Sequence, residues 1–305
     1  MRDAAIKALC ELGTDARVMA LICDTGQYVF RHFAERYPAQ FINMGIAEQN
    51  VIGVSAGLAL SGQIPFTYSI SAFYARAIDQ IRVDLCYNRT NVKMIGVGSG
   101  LAYGTMGPTH HSIEDIAILR AMPGMTILSP ADPQEAAEAI HQAYQIDGPV
   151  YIRLAQAGEP VFDVLHQQSK PFFFNQIKVA RQGTQATIVA TGRILGEALA
   201  VADMLAQDGI DCAVLNVHVL KPFAGGIVKK YARTTGHIVT VEEHNIIGGL
   251  GSIVADTLVG MKVKFIRLGL RDVFCPVYGD KQFVYNAVGL SADHIAKKVK
   301  GLLDG

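Results

Sequence analysis

Apolar stretches rich in β-branched residues alternate along this chain with segments whose apolar positions return every three or four residues. RVMALIC, QFIN, IPFTYSI, VKMIGVGSG, MTILSPA and PVYIRLAQ read as strands. MRDAAIKALCELG, GIAEQNVIGVSAGLALSG, AFYARAIDQIRVDLCYN and PQEAAEAIHQAYQ read as helices between them. Near-continuous apolar strands, each followed by a helix, predict a parallel α/β sheet with both faces covered.

From Gly158 the period is lost in EPVFDVLHQQSKPFFFNQIKVARQG, which reads as a linker ending in a strand or two. Alternation resumes in ATIVATG, LGEALAVADMLAQDG, CAVLNVHVL, GGIVKKYA, HIVTVEEH and GLGSIVADTLVG. The expected fold class is therefore α/β, with two parallel or mostly parallel sheets. Residues 1–165 form the first domain, 166–182 a linker and 183–305 a smaller second domain. A length of 305 residues suits two domains, because single cores seldom grow beyond about 250–300 residues.

The 27 basic and 27 acidic residues cancel and no basic run stands out, so neither nucleic acid nor an anionic membrane is an expected partner. Half the residues are hydrophobic, which for a soluble chain points to extra subunit interface. The uncharged stretch from Gln49 to Ala75 is broken by Gly53, Gly57, Gly62 and Pro65, so it reads as an interface helix and a strand rather than a membrane span. The N-terminus lacks the pattern of a secretory signal. Five cysteines without CxxC spacing suggest neither zinc nor a disulfide framework and suit a reducing cytoplasm.

Glu48 follows QFIN and opens a helix of small residues. A carboxylate there, beside Ile46 and Val51, can be buried and tuned; the plainer alternative is a first-turn acid stabilising the helix dipole. Phe66, Tyr68, Phe73 and Tyr74 form a stacking wall for a flat heterocycle or simply belong to the core. The glycine-punctuated loop GTMGPTHHSIED delivers His110 and His111 ahead of a helix starting near Ser112, a placement that favours proton transfer over packing. Adjacent histidines without a companion Cys or carboxylate cluster make a poor metal site. VEEHNIIGGLGS reads as a tight turn into a helix, since the alternative phosphate cradle would need a fuller GxGxxG pattern.

GIAEQN, the aromatic segment, GPTHHSIEDIAILRAMPGMTILSPAD, PVYIRL, TIVATG and VEEHNIIGGLGS stand in the order and spacing of the C-terminal half of transketolases. The chain resembles that half over nearly its whole length. The resemblance implies a pyrimidine-binding domain for thiamine diphosphate followed by the smaller transketolase C-terminal domain, and transfer of a two-carbon ketol unit from a ketose to an aldose. It implies that Glu48 bonds the pyrimidine ring and stabilises the imino tautomer that deprotonates the thiazolium carbon. Phe73 matches the aromatic stacked on that ring, with Tyr68 and Ile70 beside it, and Asp24 matches an acid near the thiazolium. His110 matches the histidine on the reacting oxygens, with His111 next to it at the substrate, and Arg2 matches an arginine on the substrate phosphate.

The family's GDG motif, which with a later Asn holds the diphosphate and its Mg2+, is absent here. The resemblance therefore implies an N-terminal transketolase subunit as partner, two copies of each chain (α2β2), and no activity without it. Several family contacts to sugar phosphate are also replaced. Tyr28 stands for a serine, Gly98 for a histidine, Met106 for an aspartate and Gln156 for an arginine. Each lost charged hydrogen bond forfeits about 1.5–3 kcal/mol, so an altered substrate pocket is expected, for an unphosphorylated, sulfonated or nucleotide-linked sugar. The rival readings are the beta subunit of a 2-oxo acid dehydrogenase, acyl transfer like that of 1-deoxyxylulose-phosphate synthase, and a non-catalytic scaffold. A scaffold should have lost Glu48 or His110, and both remain.

Overall fold

The computed structural model describes residues 1–166 and 176–304. Its first sheet holds β1 (Val18–Ile22), β2 (Phe41–Asn43), β3 (Ile64–Ile70), β4 (Lys93–Val97), β5 (Thr126–Leu128) and β6 (Val150–Arg153), all mutually parallel. Every residue of β1, β3, β4, β5 and β6 is buried, which is why these strands read as unbroken runs. Helices Arg2–Leu12, Gln27–Arg36 and Pro133–Gln145 share one apolar cluster with one face of the sheet. Glu48–Leu60 and Asp115–Arg120 cover the other.

The second sheet contains β7 (Lys178–Arg181), β8 (Ala186–Ala190), β9 (Cys212–Asn216), β11 (His237–Asn245) and β12 (Lys264–Leu270), in the order β12-β11-β8-β9-β7. β7 is antiparallel to β9 and the rest are parallel. Helices Leu195–Gln207 and Ala292–Asp304 pack with one face of this sheet. Gly226–Thr235 and Leu250–Leu258 lie on the other, in a single apolar cluster that continues into Glu48–Leu60 and Asp115–Arg120 of the first domain.

The α/β alternation expected from the sequence is present, with local corrections. CAVLNVHVL is two strands: after β9 the chain turns at Val217 and His218, and β10 (Val219–Lys221) joins the first sheet, antiparallel to β5. The turn is invisible in the pattern because the residues on both sides of it are equally buried. Of the expected linker, 167–175 lies outside the described residues, and Lys178–Arg181 is an edge strand. AFYARAIDQIRVDLCYN is helical but irregular, passing from a 3-10 segment (Ser71–Ala77) through Ile78–Gln80 to a π-helical segment (Ile81–Tyr87). The helix expected near Ser112 begins at Asp115. The stretch from Gln49 to Ala75 holds most of one 13-residue helix, then β3, and no described helix is long and apolar enough to cross a membrane.

Candidate active site

Asp24, Glu48, Phe73, His110 and Gln156 lie in segments that follow the carboxyl ends of β1, β2, β3, β4 and β6. Helices pack on both faces, so these strand ends are where side chains can reach a ligand, and the order reverses at β1, which sits between β2 and β3. Glu48 is the first residue of its helix and only 5% exposed. Its carboxylate caps no N–H of that helix. Instead Arg76 Nη1 donates to Oε2 at 3.3 Å, and among the described residues nothing donates to Oε1. Burial, followed by the Glu48 charge, pushes the Cys23 thiol up to about 11.

Arg76 also lies over the Phe73 ring, 4.7 Å from its centroid. Phe73 in turn meets His110 edge to face at 5.3 Å, and Tyr103 meets His110 at 6.1 Å. The His110 Nδ1 is 2.9 Å from Thr109 Oγ1. Glu48, Arg76, Phe73, His110 and Tyr103 thus form one continuous line of contacts. Tyr68 and Ile70 belong to the apolar cluster against which Phe73 packs. Tyr68 is 2% exposed, and Phe30 meets its ring edge-on at 5.0 Å, so it supports the wall from beneath. Phe66 and Tyr74 are buried likewise, which leaves Phe73 as the accessible member of the expected aromatic wall. Asp24 is exposed with φ 55°, a left-handed conformation that Asp tolerates, and Asn43 Nδ2 donates to its Oδ1 at 3.2 Å.

Gly98 has φ +74°, and a Cβ built on it would come within 1.9 Å of the Tyr103 ring, so that ring fills the place a side chain would take. Gln156 Nε2 donates to the Ala102 carbonyl at 3.0 Å, and the Gln156 carbonyl accepts the Arg2 N–H at 2.8 Å. The carboxamide therefore serves the backbone of the histidine loop. Arg2 Nε bonds Asp3 at 2.8 Å. Arg2 and Tyr28 line an open cleft of about 520 Å³ together with Lys7, His32 and Arg36. Tyr28 is 82% exposed and Met106 50%.

His111 is placed differently from His110. It is 3% exposed, and burial holds its imidazole below the ordinary value. His110 faces the site while His111 packs behind it. The GGLG segment is a turn: Glu242 accepts the N–H groups of Leu250 at 2.6 Å and Gly251 at 2.8 Å, so the chain's own carboxylate occupies the helix N-terminus that a phosphate would need. A Cβ on Gly249 would lie 2.0 Å from that carboxylate. Arg76 and Tyr103 were missed from sequence. Arg76 carried a faint signal, three residues after Phe73, and Tyr103 none beyond its glycine-rich setting.

A buried acid and an aromatic face thus gather beyond the strand ends, and comparison with known proteins names the family. The family model "Transketolase, pyrimidine binding domain" matches residues 1–157, and "Transketolase, C-terminal domain" matches 175–295. The chain belongs to the transketolase family, as a transferase subunit equivalent to its C-terminal half. It is 38% identical to one of the subunits of apulose-4-phosphate transketolase from Phocaeicola vulgatus, a match covering 97% of this chain and 95% of that protein. 6-Deoxy-6-sulfo-D-fructose transketolase subunit SqwH of a Clostridium species is 39% identical, covering 97% and 92%. A split-gene transketolase solved as an inactive β4 tetramer superposes with a TM-score of 0.89 at 36% identity, covering 99% of this chain and 98% of that one.

Proposed function

We propose that this chain is the C-terminal subunit of a split, thiamine-diphosphate-dependent ketol transferase, and that it activates a cofactor which an N-terminal partner subunit anchors. The single observation that carries this reading is the Glu48 carboxylate, buried with one oxygen unpartnered among the described residues beside the half-buried Phe73 ring. The Arg76 guanidinium provides a stand-in. It is a planar cation with N–H donors, held by the carboxylate and lying over the ring, so these two side chains suit an N–H-bearing aromatic ring.

Thiamine diphosphate supplies, when bound, the carbon nucleophile that breaks the ketose carbon–carbon bond. Glu48 would hold the pyrimidine edge through a charge-assisted hydrogen bond and so bias where its protons reside. Phe73, backed by Tyr68 and Ile70, would present a face to that ring, and Asp24 would lend a carboxylate to the thiazolium. His110, steadied by Phe73, Tyr103 and Thr109, holds or moves a proton at the substrate oxygens. Nothing in this chain repeats the GDG motif that serves the diphosphate and Mg2+, so the partner subunit supplies that part. The solved β4 relative, inactive as named, supports this division, and the working assembly proposed here has two copies of each chain.

The substrate is a ketose other than the ordinary sugar phosphates. Tyr103 fills the space at Gly98 and Gln156 is tied to the backbone, so neither position offers a phosphate ligand. Two relatives carry the names of apulose 4-phosphate and 6-deoxy-6-sulfo-D-fructose, which supports a pocket open to change in this branch. Reconstitution with the partner subunit and a panel of phosphorylated, sulfonated and unmodified ketoses tests the reading. Preferred turnover of xylulose 5-phosphate would overturn the substrate assignment, and turnover of 2-oxo acids alone would overturn ketol transfer.

A further inference from the structure

The loop carrying His110 is anchored in the second domain. Gly100 and Ser112 exchange both backbone hydrogen bonds at 2.9 Å and close its neck. Between them stand Gly104, Gly107 and the exposed residues Thr105, Met106, Pro108 and Thr109, a composition that holds no fixed shape alone. Its apolar anchors, Leu101 and Ile113, are 1% and 2% exposed and belong to the core cluster of the second domain.

The polar ties reach the same way. Glu243, near the end of β11, is gripped by Arg193, with Nη2 2.7 Å from Oε1 and Nε 2.9 Å from Oε2. Burial acts to raise the Glu243 carboxyl, but the Arg193 charge prevails and holds it below its ordinary value. The Leu101 N–H points to Glu243 Oε1 at 3.4 Å. Arg153 Nη2 joins the Ser112 carbonyl at 3.2 Å to the Glu243 carbonyl at 3.0 Å. Midway along the loop, the Gly279 N–H donates to the Gly104 carbonyl at 3.0 Å.

We propose that Glu243, locked by Arg193, is a positioning residue for catalysis: through Leu101 and the loop neck it sets where His110 stands, which makes the second domain part of the reaction geometry. This rests on the reading of His110 as the group that handles substrate protons. A buried ion pair is weak evidence of stability, and its better use is to fix an arrangement.

The test uses the enzyme assembled with its partner subunit and the variant Glu243→Gln. We expect kcat to fall about 10- to 100-fold, as a misplaced catalytic group costs, with cofactor half-saturation unchanged. Amide hydrogen exchange across 101–112 should quicken. In a His110→Ala background the same change should cost less than about 2-fold, because the two residues act as one unit. Equal losses in both backgrounds, or faster exchange with kcat unchanged, would overturn the proposal. Arg193→Lys, which keeps the charge but loses the two-pronged grip, is read in the same way if Glu243→Gln fails to assemble. Failure of the unaltered enzyme to transfer ketol units would strike the functional reading instead, while exchange would still report on the loop.

Discussion

The Phe73 and His110 rings meet edge to face with centroids 5.3 Å apart, although one follows β3 and the other follows β4. Phe73 therefore serves two neighbours, Arg76 on its face and His110 against its edge. Phe73→Ala should raise the concentration of thiamine diphosphate needed for half-activation about 10-fold and lower kcat as well, since an aromatic contact is worth about 0.5–1.5 kcal/mol beyond its buried area. Phe73→Tyr should retain most of both. Titrating the assembled enzyme with cofactor checks this, and equal behaviour of the two variants would count against ring stacking.

Glu48→Gln keeps the size of the side chain but replaces the charge that a proton-relaying bond requires. Turnover of the assembled enzyme should drop about 10²- to 10⁴-fold, the range associated with general acid–base groups. Association with the partner subunit, followed by sedimentation, should change little. Unimpaired turnover would remove the central claim about this residue.

Gly98 offers a structural check on the substrate assignment. Restoring the family histidine with Gly98→His should lower the melting temperature, because the position has φ +74° and the Tyr103 ring stands where Cβ would go. Adding Tyr103→Ala should recover part of that loss and improve use of phosphorylated ketoses relative to unphosphorylated ones. If Gly98→His alone is tolerated without loss of stability, Tyr103 does not govern this part of the pocket.

Glu242 gives a pH dependence of known sign. Burial pushes its carboxyl up to about 7 from an ordinary 4.5, against the two N–H groups that favour the charge. Between those values the folded chain keeps a proton that the unfolded chain has released, so this group's contribution to stability is full below about 4.5 and is lost as pH rises through about 7. The change is on the order of 3 kcal/mol. Lys93, which burial pulls down to about 7 from 10.5, works in the opposite sense at higher pH, where stability rises. Denaturant titrations of Glu242→Gln between pH 4.5 and 7 should show a shallower decline than the unaltered chain; parallel curves would contradict this.

The position of Glu48 was legible because one short motif, GIAEQN, places an acid at the start of a small-residue helix, and helix starts are set locally; its role was not, since a plain helix-terminal acid fits the same pattern and only the family resemblance names a cofactor. The sheet was legible because buried parallel strands leave unbroken apolar runs. Tyr103 was not, since its role depends on a space left by Gly98 that exists only after β4 and the histidine loop meet. His111 looked like the twin of His110, yet adjacent loop residues point in different directions and one of them packs. Gln156 matched a substrate position in register, but its amide reaches the Ala102 carbonyl, a partner 54 residues away that no local pattern announces.

β10 has a practical consequence for recombination. Three residues from the second half of the chain finish the outer edge of the first sheet, so the regions matched by two separate family models are not exchangeable blocks. A chimera that grafts a relative's second domain after residue 176 must bring a segment able to lie along β5 in the same register. Otherwise β5 would present an unpaired edge, and the graft would be prone to self-association even with every residue of the active site intact.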